Sequence, residues 1–306
     1  MSIAVLLNSM PGAVAQGLIW GIMAIGVYIT FKILDIADLT VDGTLGLGGA
    51  VCVISLTSGH GILYSLILCT IAGMLAGLAT GLIHTAMGIP AILAGILTQL
   101  GLYSINLKVM GGSANTPINA NNYKLLVSLR NVKGVSLFSN TIFITAIIIA
   151  VIIALLYWFF GTEMGSSLRA SGNNEAMCRA QGINVNFNKV LGLVLSNALV
   201  AFAGGLLAQY QGFADVNMGR GAIVIGLAAV VIGEALFGKI FNNFALVLAT
   251  VAVGSIIYYI VLQIVIWLGL DSQLLKLLSA IIVAIFLAVP YWQSQMRDNR
   301  VRKGAK

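Results

Sequence analysis

Long apolar runs that follow one another along the chain constrain its fold more than any other feature. A helix needs about 20 predominantly apolar residues to cross the hydrocarbon layer of a bilayer. We predict an all-α integral membrane protein, a polytopic helical bundle of about nine transmembrane helices (eight to ten), in which 221–238 either spans the membrane or is re-entrant. The nine candidate spans are 11–33, 39–58, 62–87, 89–110, 139–160, 188–211, 221–238, 241–269 and 273–292.

The composition excludes an ordinary soluble domain. Hydrophobic residues make up 59% of the 306 residues and charged residues only 8%, with a mean hydropathy of +1.03. Soluble domains carry about 25% charged residues. The net charge of +7 is concentrated in the tail, 293–306. A basic tail directly after an apolar run indicates cytoplasmic anchoring beside anionic lipid, and no nucleic-acid partner is expected.

Two polar stretches interrupt the apolar runs of what we interpret as a single transmembrane domain, 1–306. If the tail is cytoplasmic and all nine runs span, 111–140 is an extracytoplasmic loop and 161–188 is a cytoplasmic segment. This topology places 10 of the 16 Lys and Arg residues on the cytoplasmic side. The positive-inside rule favours that bias.

A short internal echo links two parts of the chain. The sequence ADLTV at 37–41 follows the first span, and ADVNM at 214–218 follows the sixth. Each is followed by a glycine-rich apolar segment. Because five spans separate the two copies, they would face opposite sides of the membrane, which indicates an inverted internal repeat. A chance match of so short a motif is the alternative.

Acidic residues lie beside or within the apolar runs. A carboxylate at membrane depth costs a few kcal/mol, so it usually faces a water-filled path or a partner. We therefore predict that the translocation path includes Asp38, Thr40, Asp42, Asp215 and Glu234. The alternative for the aspartates is that they cap helix N-termini at an interface.

Glycines recur at a spacing of four in the third run, at Gly73, Gly77 and Gly81. This spacing places them on one helix face, where a neighbouring backbone can approach closely. A second cluster at 43–49 begins beside the carboxylates. A helix that begins or breaks there inside the membrane would expose backbone groups to a ligand.

No enzyme motif is present in the sequence. It lacks a GxxxxGK[ST] phosphate loop, an HExxH zinc motif and a GxSxG nucleophile elbow. The cysteines Cys52, Cys69 and Cys178 have no metal-ligand spacing, so we interpret them as packing residues. We expect no catalytic residues, no metal site and no cofactor in this chain. If ATP drives the protein, a separate subunit must bind and hydrolyse it.

Three segments carry a family resemblance. The sequence GSSLRASGNNEAMCRAQGI at 165–183 resembles the coupling segment of permeases in the branched-chain amino acid and ribose family of ABC importers. DLTVDG at 38–43 looks like the Asp-Leu-Ser-Val-Gly-Ser element of the sugar permeases in that family. AAVVIG at 228–233, followed by LFG, is similar to their late glycine-rich segment.

The sequence also departs from the sugar-permease pattern. Asp42 is an insertion, Glu234 stands where glycine is usual, and Cys178 replaces a small residue. The first two departures put a sugar substrate in doubt. The chain more closely resembles a branch that is paired with binding proteins for amino acids, aromatic ones included.

The resemblance implies a function and a set of partners. The chain would be the permease subunit of a binding-protein-dependent ABC importer in a bacterial plasma (inner) membrane. It would pair with a second permease subunit, a homodimer being favoured, with two ATP-binding cassette subunits, and with an extracytoplasmic solute-binding protein or lipoprotein. Within 161–188, a short helix over 173–181 would dock on the ATPase. The residues implied in ATPase coupling are Arg169, Gly172, Asn174, Glu175, Ala176, Arg179 and Gly182.

The residues leave alternatives open. An ABC permease for a sugar or a nucleoside is one, and an ion-coupled secondary transporter or channel that uses Asp42 and Glu234 is another. A membrane-embedded enzyme, such as a lipid-modifying transferase, is a third. A requirement for a partner ATPase separates the importer from the last two.

Overall fold

The computed structural model describes residues 3–118, 123, 125–132, 140–238 and 243–269, together with scattered positions between 277 and 288. Those residues form ten α-helices and one short antiparallel strand pair. The helices are α1 (Ile3–Tyr28), α2 (Thr40–Thr57), α3 (Ile62–Thr85), α4 (Ala91–Val109), α5 (Thr141–Phe160), α6 (Glu163–Asn173), α7 (Glu175–Ala180), α8 (Val185–Gln211), α9 (Ala222–Phe237) and α10 (Phe244–Trp267), and the strands are β1 (Asn115–Pro117) and β2 (Phe213–Asp215).

The predicted all-α polytopic architecture is confirmed. Seven of the helices in the described residues are long and apolar enough to cross a membrane, and they match seven of the nine predicted spans. The run at 221–238 is α9, a shorter apolar helix of 16 residues. The last predicted span, 273–292, lies mostly outside the described residues, and so does the basic tail.

Polar side chains fix where several helices begin. Asn140, Thr162, Asn174, Asn184 and Asn243 each accept a hydrogen bond from a backbone N–H in the first turn of the next helix. These bonds satisfy N–H groups that the helix itself leaves unpaired. The helices α2 and α9 have no such cap from their own preceding residue.

The largely buried helix α2 packs against α3, α4 and α8, and α3 and α8 also pack directly against each other. The predicted glycine stripe is confirmed, because Gly73, Gly77 and Gly81 contact Asn197, Leu193 and Val190 of α8 at distances that leave little or no room for a Cβ atom. Residue numbers rise along α3 while those of their contacts fall along α8, so the two helices are antiparallel. By contrast, only 22% of the most apolar part of the outer helix α5 is buried, so most of its surface suits contact with lipid.

Two helices begin inside the bundle and run in opposite directions. A short π-helix, Ile29–Ile33, continues α1, and the irregular residues 34–39 lead from it into α2, whereas residues 216–221 lead from β2 into α9. From their meeting point, α2 runs parallel to α8, whereas α9 runs beside α1 towards the end of the bundle that carries α6 and α7. The two copies of the sequence echo, 37–41 and 214–218, lie before these two helices. In each copy the aspartate, Asp38 or Asp215, accepts a hydrogen bond from the backbone N–H of the residue two positions later.

Candidate functional site

The first polar cluster surrounds Asp38, which is 2% exposed. Its Oδ2 accepts a hydrogen bond from Asn197 Nδ2 at 2.7 Å, and its Oδ1 accepts one from the Thr40 backbone N–H at 2.9 Å. Asn197 Oδ1 in turn accepts a bond from the Thr44 hydroxyl at 2.7 Å. The carboxylate is therefore held between the start of α2 and the middle of α8.

Hydroxyl groups extend this cluster across two further helices. Thr40 Oγ1 lies 2.7 Å from Thr80 Oγ1 of α3, and Thr80 donates to Thr98 Oγ1 of α4 at 2.9 Å. We call Asp38, Thr40, Thr44, Thr80, Thr98 and Asn197 the buried network. Because each of its polar side chains has a partner, the network joins four helices without leaving a buried polar group unpaired.

Asp42 lies one helical turn further along α2 and has a different role. Its Oδ2 accepts a hydrogen bond from Gly221 N at 2.9 Å, and its Oδ1 accepts one from Ile223 N at 3.0 Å. The carboxylate thus caps the N-terminus of α9 from another helix, where the helix dipole favours negative charge. The capping alternative holds for Asp42, although the helix that it caps is not the one in which it lies.

A cavity of about 390 Å³ opens beside Asp42, between α2, α4 and the segment 216–220. Asn106 of α4 lines it and is 1% exposed. Asn106 Nδ2 donates to Gly43 O at 3.2 Å, while Asn106 Oδ1 has no hydrogen-bond partner in the part of the chain that the structure describes. The other residues that line this cavity, which we call the α2–α4 cavity, are Asp42, Gly43, Gln99, Leu100, Tyr103, Val216, Asn217 and Arg220.

The remaining two predicted path residues lie apart from this centre. Glu234 is in the last turn of α9, and its Oε2 is 2.8 Å from Lys32 Nζ, with both side chains about one-third exposed (32% and 39%). Asp215 is in β2, where its Oδ2 lies 3.5 Å from Asn115 Nδ2 of β1. The structure therefore brings Asp38, Thr40 and Asp42 together at the start of α2, while Glu234 and Asp215 lie towards opposite ends of the bundle.

The segment 161–188 forms α6 and α7, and the short helix predicted over 173–181 is confirmed as α7. The residues Arg169 and Gly172 pack α6 against the bundle. Arg169 donates to Phe160 O at 2.5 Å and lies 5.5 Å from the Phe244 ring centroid. Gly172 lies against Ile33 O, where a Cβ atom would overlap the backbone. These contacts join α6 to α5, to α10 and to Ile33, which lies beyond the C-terminal end of α1.

The other predicted coupling residues lie on or around α7. Asn174 Oδ1 accepts a bond from Met177 N at 3.0 Å, and Glu175 lies 2.5 Å from Lys189 and 3.6 Å from Arg179. The hydrogen bond from Lys189, more than any other contact, holds the pKa of the Glu175 carboxyl below its usual value. Ala176, Met177 and Arg179 present exposed surface, and Gly182 has a φ of +77°, a conformation that glycine adopts without strain.

Sequence reasoning missed several polar residues of these clusters. Asn197, Asn106 and Thr44 lie inside apolar runs, and we did not single them out. The usable signal was the polarity itself, because an amide within a membrane span needs a partner. Nothing in the sequence indicates that Asn197 is fully paired while Asn106 keeps an unpaired oxygen, since the partners come from helices distant in sequence.

The structure is a polytopic helical bundle with two opposed helices that start inside it. This architecture is typical of membrane transport proteins. Residues 10–290 match the family model described as branched-chain amino acid transport system / permease component. The chain belongs to this family and is a multi-pass transmembrane permease, the transport component of an ABC-type importer.

Similar proteins agree with this assignment. The chain is 39% identical over 282 residues to a tyrosine transport system permease protein of Clostridioides difficile, covering 92% of this chain and 91% of that protein. It is 28% identical over 213 residues to an autoinducer 2 import system permease protein of Yersinia pseudotuberculosis, covering 69% of this chain and 58% of that one. A solved inward-facing structure of a metal-chelate type ABC transporter shares the fold, with a TM-score of 0.50, 14% identity, and 92% and 85% of the two chains covered.

Proposed function

We propose that this permease moves an amino acid into the cytoplasm, aromatic amino acids included, while a separate subunit binds and hydrolyses ATP. The main support is the 39% identity, over 92% of the chain, to a permease named for tyrosine transport. Asp42 and Glu234 depart from the sugar-permease pattern, and these departures support an amino acid over a sugar as the substrate. In this structure both carboxylates make contacts that a glycine could not make, with the N-terminus of α9 and with Lys32.

The assembly that we propose contains two copies of this chain, two ATPase subunits and an extracytoplasmic solute-binding protein. The ATPase would contact the exposed surface of α6 and α7. The binding protein would contact the opposite end, where β1, β2 and the described residues 125–132 lie. In the surrounding bilayer, lipid would cover the apolar outer faces of α3, α4 and α5.

The packing of α6 supports a mechanical role for this segment. Gly172 is in contact with Ile33, at the end of the π-helix that continues α1, and Gly165 is in contact with Phe159 of α5. A displacement of α6 by the ATPase would therefore move the end of α1 and the irregular residues 34–39 that lead into α2. Packed helices of this kind shift as rigid bodies, which is how alternating access is generally produced.

The test uses two exposed methionines. Met177 is 54% exposed on α7, and Met87 is 71% exposed in the turn between α3 and α4. Met177→Glu places a charge in the proposed ATPase contact, and Met87→Glu is the matched control. The permease is co-expressed with candidate ATPases, purified in detergent, and assayed for the bound ATPase and for ATP-driven uptake of tyrosine in proteoliposomes with the binding protein.

We expect Met177→Glu to weaken ATPase binding by roughly tenfold or more, since charge at the centre of a contact commonly costs more than about 1 kcal/mol. Met87→Glu should keep the ATPase bound. Uptake of tyrosine without ATP, sensitive to Glu234→Gln, would replace the importer with a gradient-driven carrier. ATP-driven uptake of a sugar or a nucleoside, but of no amino acid, would keep the importer and overturn its proposed substrate.

A further inference from the structure

The α2–α4 cavity has polar groups that the protein itself does not use. We propose that it binds the ammonium and carboxylate groups of a free amino acid on its way through the permease, so that each subunit has a zwitterion site of its own. This inference rests on the proposed function, because it names the part of the substrate that the cavity recognises. It concerns a transient site within one chain, separate from the selection made by a binding protein.

The first observation is the unpaired oxygen of Asn106. This side chain is 1% exposed, its amide nitrogen is held by Gly43 O, and its Oδ1 lacks a partner among the described residues. A buried acceptor without a donor costs about 1–3 kcal/mol. An ammonium group in the cavity would supply that donor. Asp42 would add a negative charge beside the ammonium group. Each carboxylate oxygen of Asp42 accepts one bond from the backbone at the start of α9 and can accept another from the ligand.

The second observation is Arg220, an exposed residue of the segment 216–220 that lines the cavity. Its guanidinium makes no ion pair or side-chain hydrogen bond within the described residues. Asp42, the acidic residue of the lining, is already bonded to Gly221 N and Ile223 N. Arginine binds carboxylates through two parallel hydrogen bonds. The guanidinium of Arg220 can therefore bind the carboxylate of a ligand, because Asp42 is bonded to the N-terminus of α9 instead.

Helical spacing brings the remaining polar groups to the same place. Gln99, Tyr103 and Asn106 are separated by four and three residues, so they share one face of α4. The lining therefore combines an acidic residue, a basic residue, three amide side chains and one phenol. A site with both signs of charge favours a zwitterion over a neutral sugar, and over a ligand that carries only one charge.

The size and position of the cavity fit this role. Its volume of about 390 Å³ is within the range of roughly 300–1,000 Å³ that small-molecule sites occupy. It also lies where α2 and α9 begin inside the bundle. In transporters, helices that begin at such a depth commonly border the substrate site.

The experiment measures protection of a single thiol. All three native cysteines are buried, so Asn217→Cys places an accessible thiol in the cavity lining, and Ser113→Cys places one on the exposed segment before β1 as the matched control. Each variant is assembled with its ATPase in lipid nanodiscs. Labelling by a charged, water-soluble methanethiosulfonate is followed by mass spectrometry at increasing concentrations of L-phenylalanine, phenethylamine or 3-phenylpropanoate.

We expect L-phenylalanine to slow labelling of Asn217→Cys and to leave Ser113→Cys unchanged. The two analogues, which lack one charged group each, should need at least about tenfold higher concentrations for the same protection. Adding Arg220→Gln should remove protection by L-phenylalanine, and Arg220→Lys should keep part of it. Equal protection by all three compounds, or none by any of them, would overturn the zwitterion site.

Uptake by the Ser113→Cys complex, whose cavity lining is unchanged, is measured in proteoliposomes with the binding protein and separates this inference from the proposed function. ATP-driven uptake of L-phenylalanine or tyrosine without protection would overturn the site and leave the function standing. A complex that hydrolyses ATP but takes up no amino acid would overturn the function. Protection by D-ribose equal to that by L-phenylalanine would overturn the assignment of the cavity to amino acids.

Discussion

Two polar regions lie within one turn of each other at the start of α2, and they differ in how completely their groups are paired. The buried network around Asp38 pairs every polar side chain that it contains. The α2–α4 cavity keeps an unpaired buried oxygen on Asn106 and an arginine without an ion pair in the described residues. A polar residue in a membrane helix is therefore structural or available to a ligand according to its partners, and not according to its type.

The two aspartates illustrate the same difference. Asp38 is bonded to side-chain and backbone groups that hold α2 against α8, and Asp42 is bonded to backbone groups that open α9. Both were predicted to line the translocation path, and that role stays a prediction for both. The cavity borders Asp42 and makes it the more direct candidate.

Asn197→Leu should have the largest effect on stability. The change removes the amide that bonds both Asp38 and Thr44, and leaves two buried groups with fewer partners. We expect the permease to lose about 2–3 kcal/mol of stability, since unpaired buried groups cost this much, and more when charged. The measurement is thermal unfolding of the purified chain in detergent, followed by size-exclusion chromatography. An unchanged midpoint would show that the network contributes little.

Asn106→Leu is the matched substitution in the cavity, with the same change of side chain in α4 instead of α8. The substitution removes the bond from Asn106 Nδ2 to Gly43 O, which is destabilising. It also removes the buried, unpaired Asn106 Oδ1, which is stabilising, so the two effects offset each other. We expect the unfolding midpoint to change by the equivalent of less than about 1 kcal/mol, while amino-acid uptake falls. A loss of stability as large as that of Asn197→Leu would erase the distinction between the two regions.

The ion cluster at Glu175 gives the smallest expected effect, because water screens exposed ion pairs. The pKa of Glu175 is lowered from 4.5, chiefly by the hydrogen bond from Lys189. The stabilisation of α7 should therefore be fully present above about pH 4.5 and be lost as the pH falls through the lower pKa of the folded protein. Amide hydrogen exchange over 174–182, corrected for intrinsic rates, measures it. Glu175→Gln should abolish this pH dependence, and an equal dependence in that variant would contradict the assignment.

The sequence predicted the architecture well because its signals are local. Each span is a predominantly apolar run, the spacing of Gly73, Gly77 and Gly81 follows the period of one helix, and the helix α7 is preceded by an asparagine that caps it. The seven long helices agree with their runs, although α1 begins several residues before its predicted start.

The candidate site was predicted only in part. Asp38, Thr40 and Asp42 lie close together because they lie close in sequence. The contact of Asp42 with Gly221, across 179 residues of sequence, has no local signal. The same is true of the ion pair between Glu234 and Lys32, which places this carboxylate beside a cation in a partly exposed position.

By itself, then, the sequence determined that this chain spans a membrane many times, belongs among ABC importer permeases and carries the exposed segment that α6 and α7 form. Only the tertiary structure decided which polar residues are paired with one another and which remain available to a ligand. The physical reason is that apolar periodicity and helix caps act within one segment. The pairing of a buried amide or carboxylate depends on groups that separate helices bring within about 3 Å of it.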